Sequence, residues 1–377
     1  MNVLICGAAN VIAIGTARTL CQAGHRAVFA DSNRFARGFL SKFCFRRYLF
    51  RDSSKDQPGF EDDLADCLRN ERIDLVVPST DQALLDLAGA MHVIPPEVSV
   101  SFPADVDKIR LVLHKGNLPG ICAAAGVQTP RTLRHAEVEA PAPDRRAPPW
   151  VVKRTAGVAG QGLARVVDYK ALGATLEETA RKYPGEELLV QEEIEGKVYG
   201  AGGLFDGEQL KFFYCYEYVN RSPLGSGPAT RCLLRHVEPV RGAFQKVLAS
   251  LDWRGYCQMD FIVDAGTGEP FLVDINPVHW YTMPFSASAR LNSILGLLPA
   301  GQSPFNEEPL EGPYATVCLT RELQRLLTWL FRGSGNRVER LRLFNHVRAF
   351  SAADFFWDPL PILLAPVLKL LAVTQGR

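Results

Sequence analysis

The sequence predicts a chain of mixed α/β and α+β class that begins with an open parallel sheet. Between Asn2 and Asp81, short apolar runs alternate with segments of helical periodicity, which is typical of β-α-β units. From Gly255 to Pro277, two apolar runs flank a turn-rich segment, which indicates an antiparallel hairpin. With 377 residues, of which 47% are hydrophobic, the chain can bury the cores of two or three domains.

The first predicted domain spans residues 1–104 and is the open parallel sheet. Its predicted elements are a strand from Asn2 to Cys6, a helix through Thr16 to Ala23, a strand from His25 to Ala30, a helix from Phe60 to Asn70, a strand from Leu75 to Pro78 and a helix from Asp81. Gly7 supplies the tight turn after the first strand. A dinucleotide site would require G-x-G-x-x-G at this turn and an acid after the second strand. Asp31 is such an acid, but Gly7 and Gly15 do not complete the glycine pattern, which disfavours NAD binding.

Charge and cysteine content exclude some partners and predict a compartment. Lys plus Arg at 42 balance Asp plus Glu at 41, so no overall field attracts nucleic acid. The nine cysteines are an odd number without a C-x-x-C pair, and the chain opens directly on a strand. We therefore predict a cytoplasmic protein with free thiols, no nucleic-acid partner and no transmembrane segment.

The hairpin predicts a metal platform. Because side chains alternate across a strand, Asp274 and Asn276 share one face, and Asp260 can face them from the neighbouring strand. Two carboxylates placed this close are costly without a cation between them, and hard oxygen ligands suit Mg²⁺, with Mn²⁺ as a substitute. Strand capping by the two aspartates and a simple turn at Asp264 are the structural alternative.

A second segment predicts a phosphate-binding lid. It runs W-V-V-K-R-T-A-G-V-A-G-Q-G-L-A-R-V-V, which is a strand, a glycine-rich loop and a strand. Burying the Lys153 ammonium group within an apolar strand costs free energy of desolvation unless the group meets an anion. The glycines of the loop allow backbone N–H groups to approach phosphate oxygens closely. They are Gly157, Gly160 and Gly162. A P-loop is excluded because no G-K-[ST] follows.

The order of these segments resembles that of the ATP-grasp ligases, in the branch similar to carbamoyl phosphate synthase and the carboxylate-amine ligases. In that family an acid on one strand and an acid-x-Asn-Pro run on the next hold Mg²⁺, which matches Asp260, Asp274 and Asn276. A lysine also opens the core before a Gly-Val-x-x-Pro turn, and Lys115 takes that position. Four positions depart from the family pattern: Arg154 replaces Pro, Val198 replaces a ribose-binding Glu, Asp274 replaces the usual Glu, and Val278 replaces Arg.

The resemblance also implies a nucleoside site and a γ-phosphate site. The segment E-L-L-V-Q-E-E-I-E-G is similar to the hinge at which adenine meets the backbone, so the positions carried over are Gln191, Glu192 and Ile194. Glu195 or Glu193 is expected to substitute for the ribose-binding Glu that Val198 replaces. In the loop-rich segment that follows, Arg231 is expected to face the γ-phosphate and the acceptor, with catalytic roles for Arg231 and Lys153. His279 past the platform is a weaker acceptor-site candidate.

The implied organisation is an ATP-grasp core over residues 105–300, with a small lid subdomain at 115–190 and a larger one at 191–300. A helical extension follows at 301–377. The implied reaction joins a carboxylate and an amine through an acyl phosphate, releasing ADP and phosphate. The substrates would be small or carrier-bound, and a homodimer is possible. A phosphoryl-transfer enzyme would keep the same ATP residues and differ only in its acceptor. A catalytically silent nucleotide-binding or interaction protein is the other alternative, which Val198, Val278 and Asp274 suggest.

Two further segments each allow two interpretations. Residues 34–51 interleave arginines with aromatic residues, which is typical of a surface helix and strand and less often of a nucleic-acid or acidic-carrier site. The apolar run from Leu360 to Val373 is interrupted by prolines and too short to span a bilayer. It predicts a helix docked on the core, with contact to a membrane surface or partner as the alternative.

Overall fold

The computed structural model describes residues 1–138, 149–155, 163–168, 171–221, 229–278 and 315–317, with positions 358, 360–361, 364, 367–368 and 371. Within these residues the chain forms three sheets and seven α-helices. No helix in this part of the chain combines the length and the apolar character that crossing a bilayer requires.

The N-terminal region is an open, five-stranded parallel sheet with the strand order β3-β2-β1-β4-β5. Its strands are β1 (Asn2–Cys6), β2 (Arg26–Asp31), β3 (Cys44–Leu49), β4 (Leu75–Pro78) and β5 (Ser99–Val100). Its helices are α1 (Val11–Gln22), α2 (Gln57–Asn70) and α3 (Asp81–Gly89). The parallel sheet is therefore confirmed. Strand β3 and a 3-10 turn at Arg37–Leu40 account for the arginine-aromatic segment.

Gly7 forms the turn between β1 and α1, as the sequence predicts. Its φ of +89° favours glycine, and an added Cβ would lie 2.8 Å from Ser79 Oγ. The Asn10 side chain then accepts a hydrogen bond from Ile12 N and caps α1, which begins five residues before the predicted helix.

A helical connection leads from this sheet to the rest of the chain. It consists of α4 (Val106–Leu113), a 3-10 turn at Lys115–Asn117 and α5 (Leu118–Ala125), which ends at Gly126 with a φ of +63°. Just beyond, Gln128 O accepts a hydrogen bond from Leu272 N at 2.8 Å, and Thr129 Oγ1 donates to Leu272 O at 2.9 Å. These bonds fix the connection to the 255–277 hairpin.

The next sheet is small and antiparallel, with the order β6-β9-β7-β8. Its elements are β6 (Thr132–Arg134), β7 (Trp150–Arg154), β8 (Ala164–Val166), α6 (Leu172–Lys182) and β9 (Leu188–Glu192). Leu172 and Leu176 of α6 pack on Val152 and Val190 of the sheet, forming a separate apolar core. This sheet carries the predicted strand of Lys153 and the predicted hinge strand.

The largest sheet has six strands in the order β14-β13-β10-β11-β12-β15. They are β10 (Gly196–Phe205), β11 (Leu210–Arg221), β12 (Ala229–Arg235), β13 (Gly255–Asp264), β14 (Pro270–Asn276) and β15 (Ala315–Val317). Helix α7 (Glu238–Ser250) covers this sheet with its apolar face, since Val240, Phe244, Val247 and Leu248 are fully buried.

One apolar cluster joins the N-terminal sheet to the largest sheet. It contains Val3 and Ile5 of β1 together with Leu204, Tyr214 and Tyr256. The mixed fold class is thus confirmed, with parallel strands first and antiparallel sheets after them. The domain boundaries stay a prediction, and most of the helical extension lies outside the described residues, where positions 360–361, 367–368 and 371 are helical.

Candidate active site

The predicted platform is formed by β13 and β14, which pair antiparallel as a hairpin. The register places Asp260 opposite Asp274 and Gln258 opposite Asn276. Because residues two apart share a face of a strand, all four side chains lie on one face of the sheet. The sequence predicted three of these four residues.

Lys115 reaches the platform from the helical connection. Its backbone N–H donates to Thr155 O at 3.3 Å, at the end of β7, and its Nζ lies 2.6 Å from Asp274 Oδ2. The two side chains are only 20% and 23% exposed, so solvent screens this ion pair incompletely. A lysine predicted to bind ATP thus contacts a predicted metal ligand.

Lys153 reaches the same region from β7 of the small sheet. Its Nζ donates to Gln191 Oε1 at 2.9 Å and to Val273 O at 3.4 Å, next to Asp274. Burial lowers the pKa of Lys153 to about 8, Asp274 acts in the opposite direction, and Lys115 lowers it further. Lys153 is therefore a half-buried cation beside the platform, as an anion-binding role requires.

Gln191, a predicted adenine-site position, contacts Lys153 through its side chain. Its side chain is buried, with Nε2 donating to Thr132 Oγ1 at 2.9 Å and Oε1 accepting from Lys153. The Gln191 side chain therefore orients Lys153. The sequence could not indicate this because Lys153 and Gln191 lie on separate strands whose register is set only in the fold.

The remaining hinge positions follow β9. Glu193 N donates to Pro149 O at 2.8 Å, and Glu195 O accepts from Ala265 N at 2.9 Å. These bonds tie the segment both to the small sheet and to the turn of the platform hairpin. Ile194, between them, and Glu192 are half-buried, whereas the Glu195 side chain is exposed. An adenine role for these residues stays a prediction.

A hydrogen-bonded chain that the sequence did not predict surrounds Asp260. Asp260 Oδ1 accepts from Tyr218 Oη at 2.7 Å and from Gln258 Nε2 at 2.5 Å. Gln258 Oε1 in turn accepts from Asn276 Nδ2 at 2.6 Å. Burial, and next the charge of Asp260, raises the pKa of Tyr218 well above its usual range. Tyr218 therefore keeps its proton and remains a donor.

The donor set of the platform fits a hard cation. Among the described residues, no three His, Cys, Asp or Glu side chains are grouped to bind a metal, so the two carboxylates would need the amide oxygen of Asn276. The Asn276 Nδ2 group donates to Gln258, and the amide oxygen is thereby left as the ligand atom that Asn276 offers. Carboxylate and amide oxygens together suit Mg²⁺.

The N-terminal sheet contributes a carboxylate that faces this site. Asp81 begins α3, after the carboxyl end of β4, and is half-buried. Burial raises the pKa of Asp81, the charge of Asp274 raises it further, and Lys115 lowers it. Ligands of open α/β sheets bind at the carboxyl ends of the strands, and here that edge faces the platform.

Asp31, by contrast, has a structural role. Its Oδ2 accepts from Ala9 N at 2.7 Å and its Oδ1 from Asn33 N at 2.8 Å, which holds the turns after β1 and β2 together. The carboxylate that a dinucleotide ribose would need is thus engaged by backbone donors.

Two of the departures from the family pattern have structural explanations. Arg154 donates through Nε and Nη2 to both carboxylate oxygens of Glu186 and lies over the ring of Tyr183, 4.2 Å from its centroid. Val278 is buried in the main apolar core. Several predicted site groups lie outside the described residues: Gly157, Gly160, Gly162, His279 and the side chain of Arg231.

Comparison with known proteins finds the same family that the sequence resembles. Residues 121–278 match the family described as ATP-grasp domain. The carbamoyl phosphate synthase large chain of Caldanaerobacter subterraneus subsp. tengcongensis is 22% identical over 147 residues, which cover 37% of this chain and 14% of that protein. The chain thus spans only a small part of that relative's length.

Solved structures of similar fold cover most of the chain. N5-carboxyaminoimidazole synthetase from Staphylococcus aureus, complexed with ADP, has a TM-score of 0.62 at 15% identity over 81% of this chain and 78% of that one. L-amino acid ligase from Bacillus licheniformis has a TM-score of 0.60 at 16% identity, covering 83% and 78%. The biotin carboxylase domain dimer of Hydrogenobacter thermophilus 2-oxoglutarate carboxylase, with MgADP and bicarbonate, has a TM-score of 0.59 at 17% identity, covering 81% and 70%.

Proposed function

We propose that this chain, which carries an ATP-grasp domain over residues 121–278, is an ATP-dependent carboxylate-amine ligase that releases ADP and phosphate. The proteins of similar fold include an amino acid ligase and enzymes solved with ADP or MgADP. Their names motivate the reaction class, and the residues of this chain supply the argument for it.

The observation that carries the proposal is that two lysines meet beside one carboxylate, that of Asp274. Lys115 comes from the helical connection, Lys153 from the small sheet and Asp274 from the largest sheet. Lys115 pairs with Asp274 at 2.6 Å, and Lys153 donates to the adjacent carbonyl of Val273. Desolvated ammonium groups beside a cation platform suit a polyanion such as a nucleotide triphosphate.

Asp260, Asp274 and Asn276 are the residues that would hold Mg²⁺, with Mn²⁺ as a possible substitute. When bound, the cation would neutralise charge on the phosphate oxygens during transfer. Because it would compete with the Lys115 ammonium group for Asp274, cation binding would release Lys115 toward the nucleotide. Lys153, Arg231 and the glycines of the lid would then contact the phosphates.

The proposed reaction has two steps. A carboxylate oxygen of the substrate attacks the γ-phosphorus of ATP, the bond from that phosphorus to the bridging oxygen breaks, and ADP leaves. The amine nitrogen then attacks the acyl carbon, phosphate leaves with the former carboxylate oxygen, and the nitrogen loses a proton. The chain needs no nucleophile of its own. Its side chains position the reactants and balance their charge, and lid closure would exclude the water that hydrolyses acyl phosphates.

The acceptor side is also a proposal. Asp81 faces the platform from the N-terminal sheet, so the acid and amine would enter between that sheet and the hairpin. Small-molecule or carrier-bound substrates, a cytoplasmic location and a homodimer remain predictions.

Hydroxylamine can take the place of the amine substrate, so that only the carboxylate has to be identified first. It captures acyl phosphates as hydroxamates, so the full chain can be incubated with Mg-ATP, hydroxylamine and a panel of carboxylates. We expect one class of acid to yield hydroxamate and ADP in equal amounts. Amines are then screened against that acid, with mass detection of the amide.

The control is Asp274→Asn, which keeps the size of the side chain but removes its charge. This variant should give no hydroxamate with the acid that is active in the wild type. Formation of AMP and pyrophosphate, or ADP release without any hydroxamate, would argue against the proposed ligase.

A further inference from the structure

The contacts of Asp260 single out two residues beyond the metal ligands. Two neutral side chains donate to its Oδ1: Tyr218 from β11 and Gln258 from β13. Gln258 is only 3% exposed, and its amide also bridges to Asn276. A single hydrogen-bonded chain therefore joins Tyr218, Asp260, Gln258 and Asn276.

Tyr218 reaches Asp260 across an intervening strand of the largest sheet. Strand β10 lies between β11 and β13, and its Gly200 stands between Tyr216 and Asp260 in the register. A Cβ at Gly200 would overlap the ring of Tyr216. The rings of Tyr216 and Tyr218 are 5.4 Å apart, so the glycine leaves room for a pair of aromatic side chains on the platform face.

We propose that Tyr218 and Gln258 are positioning residues that fix the orientation of Asp260 and Asn276 before the cation binds, which rests on the proposed function. With either donor removed, the metal ligands would be less restricted in their rotamers, and binding would require more ordering of their side chains. Hydrogen-bonding partners of metal ligands commonly change metal affinity by about 10- to 100-fold when they are removed.

The experiment measures Mn²⁺ binding to the full chain by electron paramagnetic resonance, with ADP present. Tyr218→Phe removes only the hydroxyl group, and Gln258→Met keeps the volume but removes the amide. Each variant should weaken Mn²⁺ binding by about 10-fold or more. The apparent KM for Mg²⁺ should rise by a similar factor, while the KM for ATP at saturating Mg²⁺ should stay near that of the wild type.

A matched control is available in the N-terminal sheet. Tyr48 Oη donates to Glu71 Oε1 at 2.7 Å, the same length as the bond from Tyr218 to Asp260. Tyr48→Phe thus removes an equivalent hydrogen bond away from the platform and should leave Mn²⁺ affinity unchanged.

The outcomes distinguish the positioning role of Tyr218 and Gln258 from the metal platform of the proposed function. Variants that bind Mn²⁺ as tightly as the wild type, whether or not they melt earlier, would show that Tyr218 and Gln258 only support the fold and would overturn the inference. A wild-type chain that binds ADP without any Mn²⁺ would overturn the metal platform and the proposed function with it. Weakened Mn²⁺ binding in both variants, at wild-type melting temperature without ligand, supports the inference.

Discussion

Replacement of Lys153 by methionine separates a nucleotide-binding role from a structural one. Methionine keeps the apolar stem but deletes the ammonium group, which donates to Gln191 and Val273. The fall in the pKa of Lys153 from 10.5 to about 8 corresponds to a penalty of about 3 kcal/mol on the charged form at neutral pH. Removing the charge relieves this penalty, while the unpaired Gln191 oxygen costs about 1–3 kcal/mol. The two effects offset, so the unliganded melting temperature should change little.

Nucleotide affinity should respond very differently. Losing a partly desolvated, charge-assisted contact costs about 2–3 kcal/mol, which is roughly 30- to 150-fold in affinity. Melting with and without Mg-ATP measures this, since a ligand that binds only the native state raises the melting temperature. Wild type should show a thermal shift that Lys153→Met largely loses. Lys211→Met is the control, because Lys211 is a strand lysine paired with Asp206 on the surface. An undiminished shift in Lys153→Met would refute the assignment, and early melting without ligand would show that Lys153 is structural.

Three other perturbations have expected outcomes. Nucleotide affinity, measured by titration calorimetry, should fall as pH rises above about 8, because Lys153 loses its proton there. Lys153→Met should show no such fall. A wild-type affinity that is flat to about pH 9.5 would contradict this prediction. Asp274→Asn should abolish the Mg²⁺-dependent part of the thermal shift with ADP and cost about 1–2 kcal/mol of stability, because its ion pair with Lys115 is half-buried; a retained Mg²⁺ effect would remove Asp274 from the platform. Phe244→Ala should lower the free energy of unfolding in urea by about 3–5 kcal/mol, because Phe244 is fully buried and its ring lies 5.4 Å from that of Phe213; a loss below 1 kcal/mol would mean that α7 packs loosely.

Local patterns in the sequence were enough to predict the platform. The hairpin is a short-range structure, and its turn and alternating strands fix which residues share a face, so Asp260 and Asp274 could be paired in advance. Gly126 ends α5 in the left-handed conformation that glycine favours, at the Gly-Val-x-x-Pro turn that the resemblance to the ATP-grasp ligases implies.

The contacts between distant strands could not be predicted in this way. Tyr218 is 42 residues from Asp260, and their contact depends on β10 entering between β11 and β13. The contact of Gln191 with Lys153 likewise depends on the register of β7 and β9, which turns the Gln191 amide toward the lysine. The strand in residues 34–51 was predicted without bounds, because the exposed residues of β3 interrupt the alternation that identifies strands.

The identity of the leaving group in ATP tests the central claim most directly. The full chain is incubated with Mg-ATP, hydroxylamine and the active carboxylate labelled with oxygen-18, and the products are resolved by phosphorus NMR and mass spectrometry. We predict ADP and inorganic phosphate that carries one oxygen-18 atom from the carboxylate, because the acid attacks the γ-phosphorus. Oxygen-18 in AMP, with release of pyrophosphate, would contradict the account.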